Sequence, residues 1–142
     1  MKKNKLASPF AYDLGLIGMI CPIPEYKVAW WVNQHTQLHL IKGVDIEIEL
    51  KDKTILTISN FTFETEHVVV RLLNNRLVGD RQRARVFLVN DLDQFQYLIT
   101  VDDKNDTFDL QNFVGALKSI AAIQYSTQID IKKLKDKENL IL

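Results

Sequence analysis

The chain has 142 residues, of which 46% are hydrophobic and 25% are charged, a composition typical of a folded protein rather than a disordered one. Its 18 basic and 18 acidic residues cancel to a net charge of zero. That balance disfavours a dedicated nucleic-acid binder, because such proteins carry a clear positive excess. We therefore expect one domain over residues 1–142, flexible over residues 1–9, whose neutral charge permits self-association.

Cys21 is the single cysteine, so no intramolecular disulfide can form, which is typical of a reducing compartment. The cationic first residues are not followed by an apolar stretch of signal-peptide length. The longest apolar run, residues 14–21, is too short to cross a bilayer and contains two glycines. These features predict a cytoplasmic protein that does not contact the membrane.

The front of the chain predicts a strand followed by a helix. Residues 14–21 form a short apolar run that ends before Pro22, as expected for a buried strand. Pro24 and Glu25 suit the first turn of a helix, which should end near Thr36. A core-facing stripe and a second stripe follow at helical spacing. The first holds Val28, Trp31, Val32 and His35, and the second holds Tyr26 and Trp30.

The middle of the chain predicts an antiparallel meander. Apolar and acidic residues alternate from Val44 to Leu50, which indicates a strand with one exposed face. A polar turn over residues 51–53 leads into β-branched and aromatic residues. Further strands are predicted over residues 54–63, 67–73, 85–89 and 95–101.

The end of the chain predicts a second helix, a last strand and a packed tail. Thr107 or Asp109 can cap the helix, whose buried stripe should hold Leu110, Phe113, Val114 and Leu117. Residues 123–131 return as a strand. The fold class is therefore α+β, a largely antiparallel sheet with two helices packed on one face. Because residues 140–142 are apolar, we expect residues 129–142 to pack on the sheet or on a second copy, with the tail lysines facing water.

Patterns that could carry chemistry have a simpler structural interpretation. His35 and His39 are four residues apart, but the predicted helix ends between them, so we do not assign a metal site. Asp45, Glu47 and Glu49 form a row spaced about 7 Å apart, which is typical of a solvated strand face. Cys21 lacks a second cysteine and an evident base, as expected for a buried, unreactive thiol. We assign no catalytic, cofactor-binding or metal-binding residue.

Two surfaces are candidates for partner binding. Trp30 and Trp31 point about 100° apart on a helix, so one of them must lie at the edge of the core or on an interface. Tyr26 and Trp30 are therefore the candidate protein-binding residues. The alternative is a nucleic-acid face made by Arg81, Arg83 and Arg85, with Phe61, Phe63 and Tyr97 on neighbouring strands as stacking platforms.

Several segments, taken in chain order, resemble a known family. They are residues 25–33 (EYKVAWWVN), residues 61–63 (FTF), residues 73–76 (LNNR) and residues 129–140. Together they resemble the IPExxxDY family of Bacteroidetes proteins. To our knowledge that family has no assigned activity, so the resemblance implies relatives without a mechanism, and we carry over no functional residue.

The leading functional hypothesis is a small, non-catalytic interaction or regulatory module that forms a homodimer and binds a protein partner, without a cofactor. On this hypothesis Trp30→Ala should weaken association. Binding of single-stranded nucleic acid is the alternative. A small enzyme with a site assembled from distant residues is the third possibility.

Overall fold

In a computed structural model, residues 13–50, 52–78 and 85–142 are described, and the expected flexibility of residues 1–9 lies outside them. The described residues form two α-helices, ten strands and three short 3-10 turns. The helices are α1 (Glu25–His35) and α2 (Leu110–Lys118). The strands are β1 (Gly15–Ile20), β2 (Ile41–Lys42), β3 (Ile46–Glu49), β4 (Ile55–Ile58), β5 (Asn60–Glu64), β6 (Val68–Asn74), β7 (Arg76–Val78), β8 (Arg85–Phe87), β9 (Tyr97–Asp103) and β10 (Tyr125–Ile129).

A six-stranded sheet with the order β10-β1-β9-β6-β5-β2 forms the centre of the molecule. Every pair in it is antiparallel, so the predicted α+β class with a largely antiparallel sheet is confirmed. Ile17 pairs with Ile99 on one side and with Gln128 on the other. β2 and β10 are the two edges, and α1 connects β1 to the edge strand β2.

Both helices cover one face of this sheet, as predicted. α1 buries Val28, Ala29 and Val32, and α2 buries its own stripe against the same cluster of sheet residues. Asp109 caps α2 by accepting a hydrogen bond from Asn112 N at 3.0 Å. Side chains buried this way contribute about 1.5–3 kcal/mol each, so amphipathic burial holds the helices in place.

The opposite face carries a second hydrophobic core that the sequence does not predict. Two small hairpins, β3–β4 and β7–β8, pack there together with the C-terminal tail. Leu134 and Leu140 are buried in it, which confirms that the tail packs back on the molecule. Lys132, Lys133 and Lys135 are exposed as expected, whereas Lys137 is half-buried. The sheet is therefore enclosed on both faces.

Several predicted elements need correction. His35 is exposed, and Ala29 takes its place in the core, because α1 turns its Val28–Val32 side towards the sheet. The predicted strand over residues 54–63 is two strands separated at Ser59, since β4 belongs to a hairpin and β5 to the main sheet. The later strands are present with ends shifted by a few residues. No helix among the described residues is long and apolar enough to cross a membrane.

Candidate functional site

Cys21 is fully buried at the end of β1. Its Sγ donates a hydrogen bond to Ala122 O at 3.2 Å, and its backbone N–H donates to Gln96 Oε1 at 2.8 Å. Burial raises the pKa of the thiol, which disfavours the reactive thiolate. This environment confirms the prediction of a buried cysteine and gives it a structural role.

A polar cluster that no local sequence pattern indicates connects the start of α1 to the sheet. The Tyr97 hydroxyl donates to Ile23 O at 2.6 Å, and burial raises the pKa of Tyr97 to about 12. Glu25 accepts a hydrogen bond from Ser59 Oγ at 2.9 Å, and burial raises the pKa of its carboxyl. Since both groups hold structural partners, the cluster anchors α1.

The candidate ion-binding residues are not brought together. His35 Nδ1 lies 3.0 Å from Trp31 O, and His39 is exposed beyond the helix. Asp45 forms a salt bridge with Lys42, three residues earlier in the chain, and its Oδ1 lies 2.9 Å from Lys42 Nζ. Within residues 13–50, 52–78 and 85–142, no group of three His, Cys, Asp or Glu side chains could hold a metal ion.

A cleft of about 410 Å³ separates the end of α1 from the start of α2. Phe108 and Phe113 form part of its wall, with their ring centroids 5.4 Å apart in an edge-on arrangement. Gln34, Gln37 and Asn112 contribute amides around it. His35 and Asp109 also line the cleft. His35 Nδ1 lies 3.0 Å from Trp31 O, and Asp109 Oδ1 accepts a hydrogen bond from Asn112 N at 3.0 Å, so both side chains have partners within the fold.

The nucleic-acid alternative loses its stacking platform. Tyr97 is buried, while Phe61 and Phe63 pack against the core that both helices cover. Tyr97 is therefore not accessible as a stacking platform, and Phe61 and Phe63 are half-buried on the face that α1 and α2 cover. Arg81 and Arg83 lie outside the described residues, and the description of Arg85 at the start of β8 does not extend to its side chain.

The aromatic surface of α1 is exposed as predicted, and the structure decides between the two tryptophans. Trp31 packs against the core, whereas Tyr26 and Trp30 are 61% and 54% exposed. The Trp30 ring stands edge-on to Trp31, with centroids 5.0 Å apart. Part of the Trp30 surface is thus already used within the molecule.

The two edges of the main sheet differ in how their outward backbone groups are capped. At the β2 edge, Asn33 of α1 covers the chain with its amide: Leu40 N donates to Asn33 Oδ1 at 2.8 Å, and Asn33 Nδ2 donates to Leu40 O at 3.0 Å. A side-chain amide bonded to both backbone groups of one residue occupies the place of a neighbouring strand. This edge is therefore closed to further pairing at Leu40.

The β10 edge lacks such a cover among the described residues. Its five residues, Tyr-Ser-Thr-Gln-Ile, contain no charge and no proline, the features that usually block an edge strand. Ser126 Oγ is buried and has no hydrogen-bond partner in the described part of the chain. The absence of Lys and Pro from residues 125–129 was the sequence signal that could have singled out this segment. The β10 edge, with Ser126, Thr127 and Gln128, is the candidate binding site.

No family model, no curated protein and no solved structure matches this chain. Membership of the IPExxxDY family stays a prediction.

Proposed function

We propose that this protein is a small, non-catalytic interaction module of the cytoplasm that associates with a second copy of itself. The observation that carries the proposal is the open β10 edge, whereas at the opposite edge of the sheet Asn33 caps the backbone of Leu40. Unpaired strand edges recruit other strands because their N–H and C=O groups can be satisfied there. Zero net charge leaves little long-range repulsion between two copies.

The exposed pair on α1 gives the proposal a second surface. Tyr26 and Trp30 are the side chains that protein interfaces favour. They lie on the helix that covers the β2 end of the sheet, away from β10. A contact through α1 and a contact through β10 are therefore separable by substitution.

Sedimentation equilibrium across micromolar concentrations tests the proposal. The average mass should rise with concentration from 16.4 kDa towards twice that value. Trp30→Ala should weaken this association if the α1 surface forms the contact. A wild-type protein that stays monomeric at the highest concentration would show that the proposed function is wrong.

A further inference from the structure

The direction of the backbone groups along β10 follows from the ladders of the sheet. Successive residues of an antiparallel strand direct their N–H and C=O groups to opposite neighbours. The bond from Lys104 N to His67 O, 3.1 Å long, continues the β6–β9 ladder. By the registers of the sheet, β9 then bonds β1 through its odd-numbered residues, and β1 bonds β10 through Leu16, Gly18 and Ile20.

Ser126 and Gln128 consequently point their backbone groups away from the sheet, since Tyr125, Thr127 and Ile129 face β1. Among the described residues, the Gln128 carbonyl accepts one long bond, 3.4 Å from Thr127 Oγ1. These outward groups are donors and acceptors at the spacing that a seventh strand of the sheet would need.

We propose, on the basis of the proposed self-association, that β10 pairs antiparallel with β10 of a second copy about a two-fold axis at Thr127. In this register Ser126 lies opposite the partner's Gln128, and each pair exchanges both backbone hydrogen bonds. Thr127 lies opposite the partner's Thr127 as a non-hydrogen-bonded pair. The two six-stranded sheets join into one continuous sheet.

The side chains of β10 complement their own two-fold copy. The Ser126 side chain, which is buried within its own copy, lies on the same face of the joined sheet as the partner's Gln128. Tyr125, 52% exposed and stacked on Phe95 with centroids 6.3 Å apart, lies opposite the partner's Ile129. Aromatic with β-branched and Thr with Thr are favourable cross-strand combinations.

Opposite charges lie at the two ends of β10, so they complement each other in the antiparallel pair. Lys118 is exposed next to Tyr125 and Ser126 at the start of the strand, and Asp130 is exposed just beyond its end. The carboxylate of Asp130 accepts a bond from Lys132 N at 3.1 Å, which holds it in place. Antiparallel pairing brings Lys118 of each copy towards the partner's Asp130, so opposite charges meet at both ends of the contact.

A second copy fits this edge better than an unrelated strand because β10 complements itself in its backbone hydrogen bonds, its cross-strand side chains and its flanking charges. The contact also closes, because a two-fold pair uses up the β10 edges of both copies. A contact of five residues on each side is small, so we expect dissociation in the micromolar range.

The self-opposed position at Thr127 allows a charge-swap test by sedimentation. Thr127→Lys and Thr127→Glu should each be monomeric, because like charges then face each other across the axis. A mixture of the two variants should form a heterodimer. Thr57→Lys, which changes an exposed threonine of β4 in the same way, is the matched control and should dimerise like the wild type.

Gln128→Pro provides a second variant that does not depend on charge. It removes an N–H that points outward and leaves the β1–β10 ladder intact, so the monomer should keep its melting temperature and lose dimerisation. Trp30→Ala should dimerise normally.

The outcomes separate the two proposals. A monomeric wild type overturns both. Three other outcomes overturn the β10 pairing but leave self-association standing. They are dimerisation that survives Thr127→Lys and Gln128→Pro, dimerisation that is lost in Trp30→Ala, and a mixture of Thr127→Lys and Thr127→Glu that does not dimerise.

Discussion

Asn75 is the buried side chain whose replacement is expected to be most informative about stability. It is fully buried between β6 and β7, and its amide makes three hydrogen bonds to the backbone. Nδ2 donates to Leu92 O at 2.9 Å and to Phe95 O at 3.1 Å, while Oδ1 accepts from Val89 N at 2.9 Å. This one residue thus fastens the segment between β8 and β9 to the sheet.

Asn75→Asp keeps the shape of the side chain but replaces the donating amide nitrogen with a carboxylate oxygen, which accepts hydrogen bonds. A carboxylate oxygen would then face Leu92 O and Phe95 O, two acceptors that lose their donor in a buried site. Each unsatisfied group costs about 1–3 kcal/mol, so the two together should lower the free energy of unfolding by about 2–6 kcal/mol at neutral pH. For a domain of this size that corresponds to a drop of roughly 7–20 °C in melting temperature.

The loss should depend on pH with a definite sign. Burial beside two carbonyl oxygens raises the pKa of the new carboxyl in the folded state above its ordinary value. A raised folded pKa means that stability is retained below the unfolded pKa and is lost as the pH rises through the folded pKa. The free energies of unfolding of Asn75→Asp and of the wild type, measured by urea denaturation at several pH values, should therefore approach each other as the pH falls.

Asn74→Asp is the matched control. The neighbouring Asn74 uses its Oδ1 to accept from Arg76 N at 3.0 Å, a role that a carboxylate can keep. Its stability should change by much less. The reasoning is refuted if Asn75→Asp and Asn74→Asp have equal effects at neutral pH, or if the loss at Asn75 is independent of pH.

Two further predictions concern the tail and Tyr97. Deleting residues 139–142 should lower the melting temperature by several degrees, because Leu140 is buried and Asn139 Nδ2 donates to Leu88 O at 2.9 Å. An unchanged melting temperature in differential scanning calorimetry would mean that the tail does not stabilise the fold. Burial raises the pKa of Tyr97 to about 12, so the wild type should lose stability as the pH rises from about 10, where an unfolded tyrosine ionises, to the folded value. In urea denaturation, the free energy of unfolding should fall less at alkaline pH for Tyr97→Phe than for the wild type. Tyr26→Phe, at an exposed site, should behave like the wild type. Equal falls in all three proteins would contradict this account.

Local patterns in the sequence determined the elements that depend on neighbours along the chain. α2 begins after Asp109 and buries Phe113, Val114 and Leu117, since a capping carboxylate and a helical period act within a few turns. The alternation from Ile46 to Glu49 likewise indicates a strand whatever it packs against. The antiparallel α+β class followed from the order of these elements.

Contacts between distant residues decided the rest. The break at Ser59, the second core under the hairpins, and the place of Ala29 instead of His35 depend on which elements meet in space. The candidate site has the same origin, because a strand becomes an edge only when the whole sheet is assembled. At the opposite edge, Asn33 of α1 caps the backbone of Leu40, seven residues later in the chain. Tyr125–Ile129 reads locally as an ordinary strand, and only its position beyond β1 leaves its backbone groups open to a second copy.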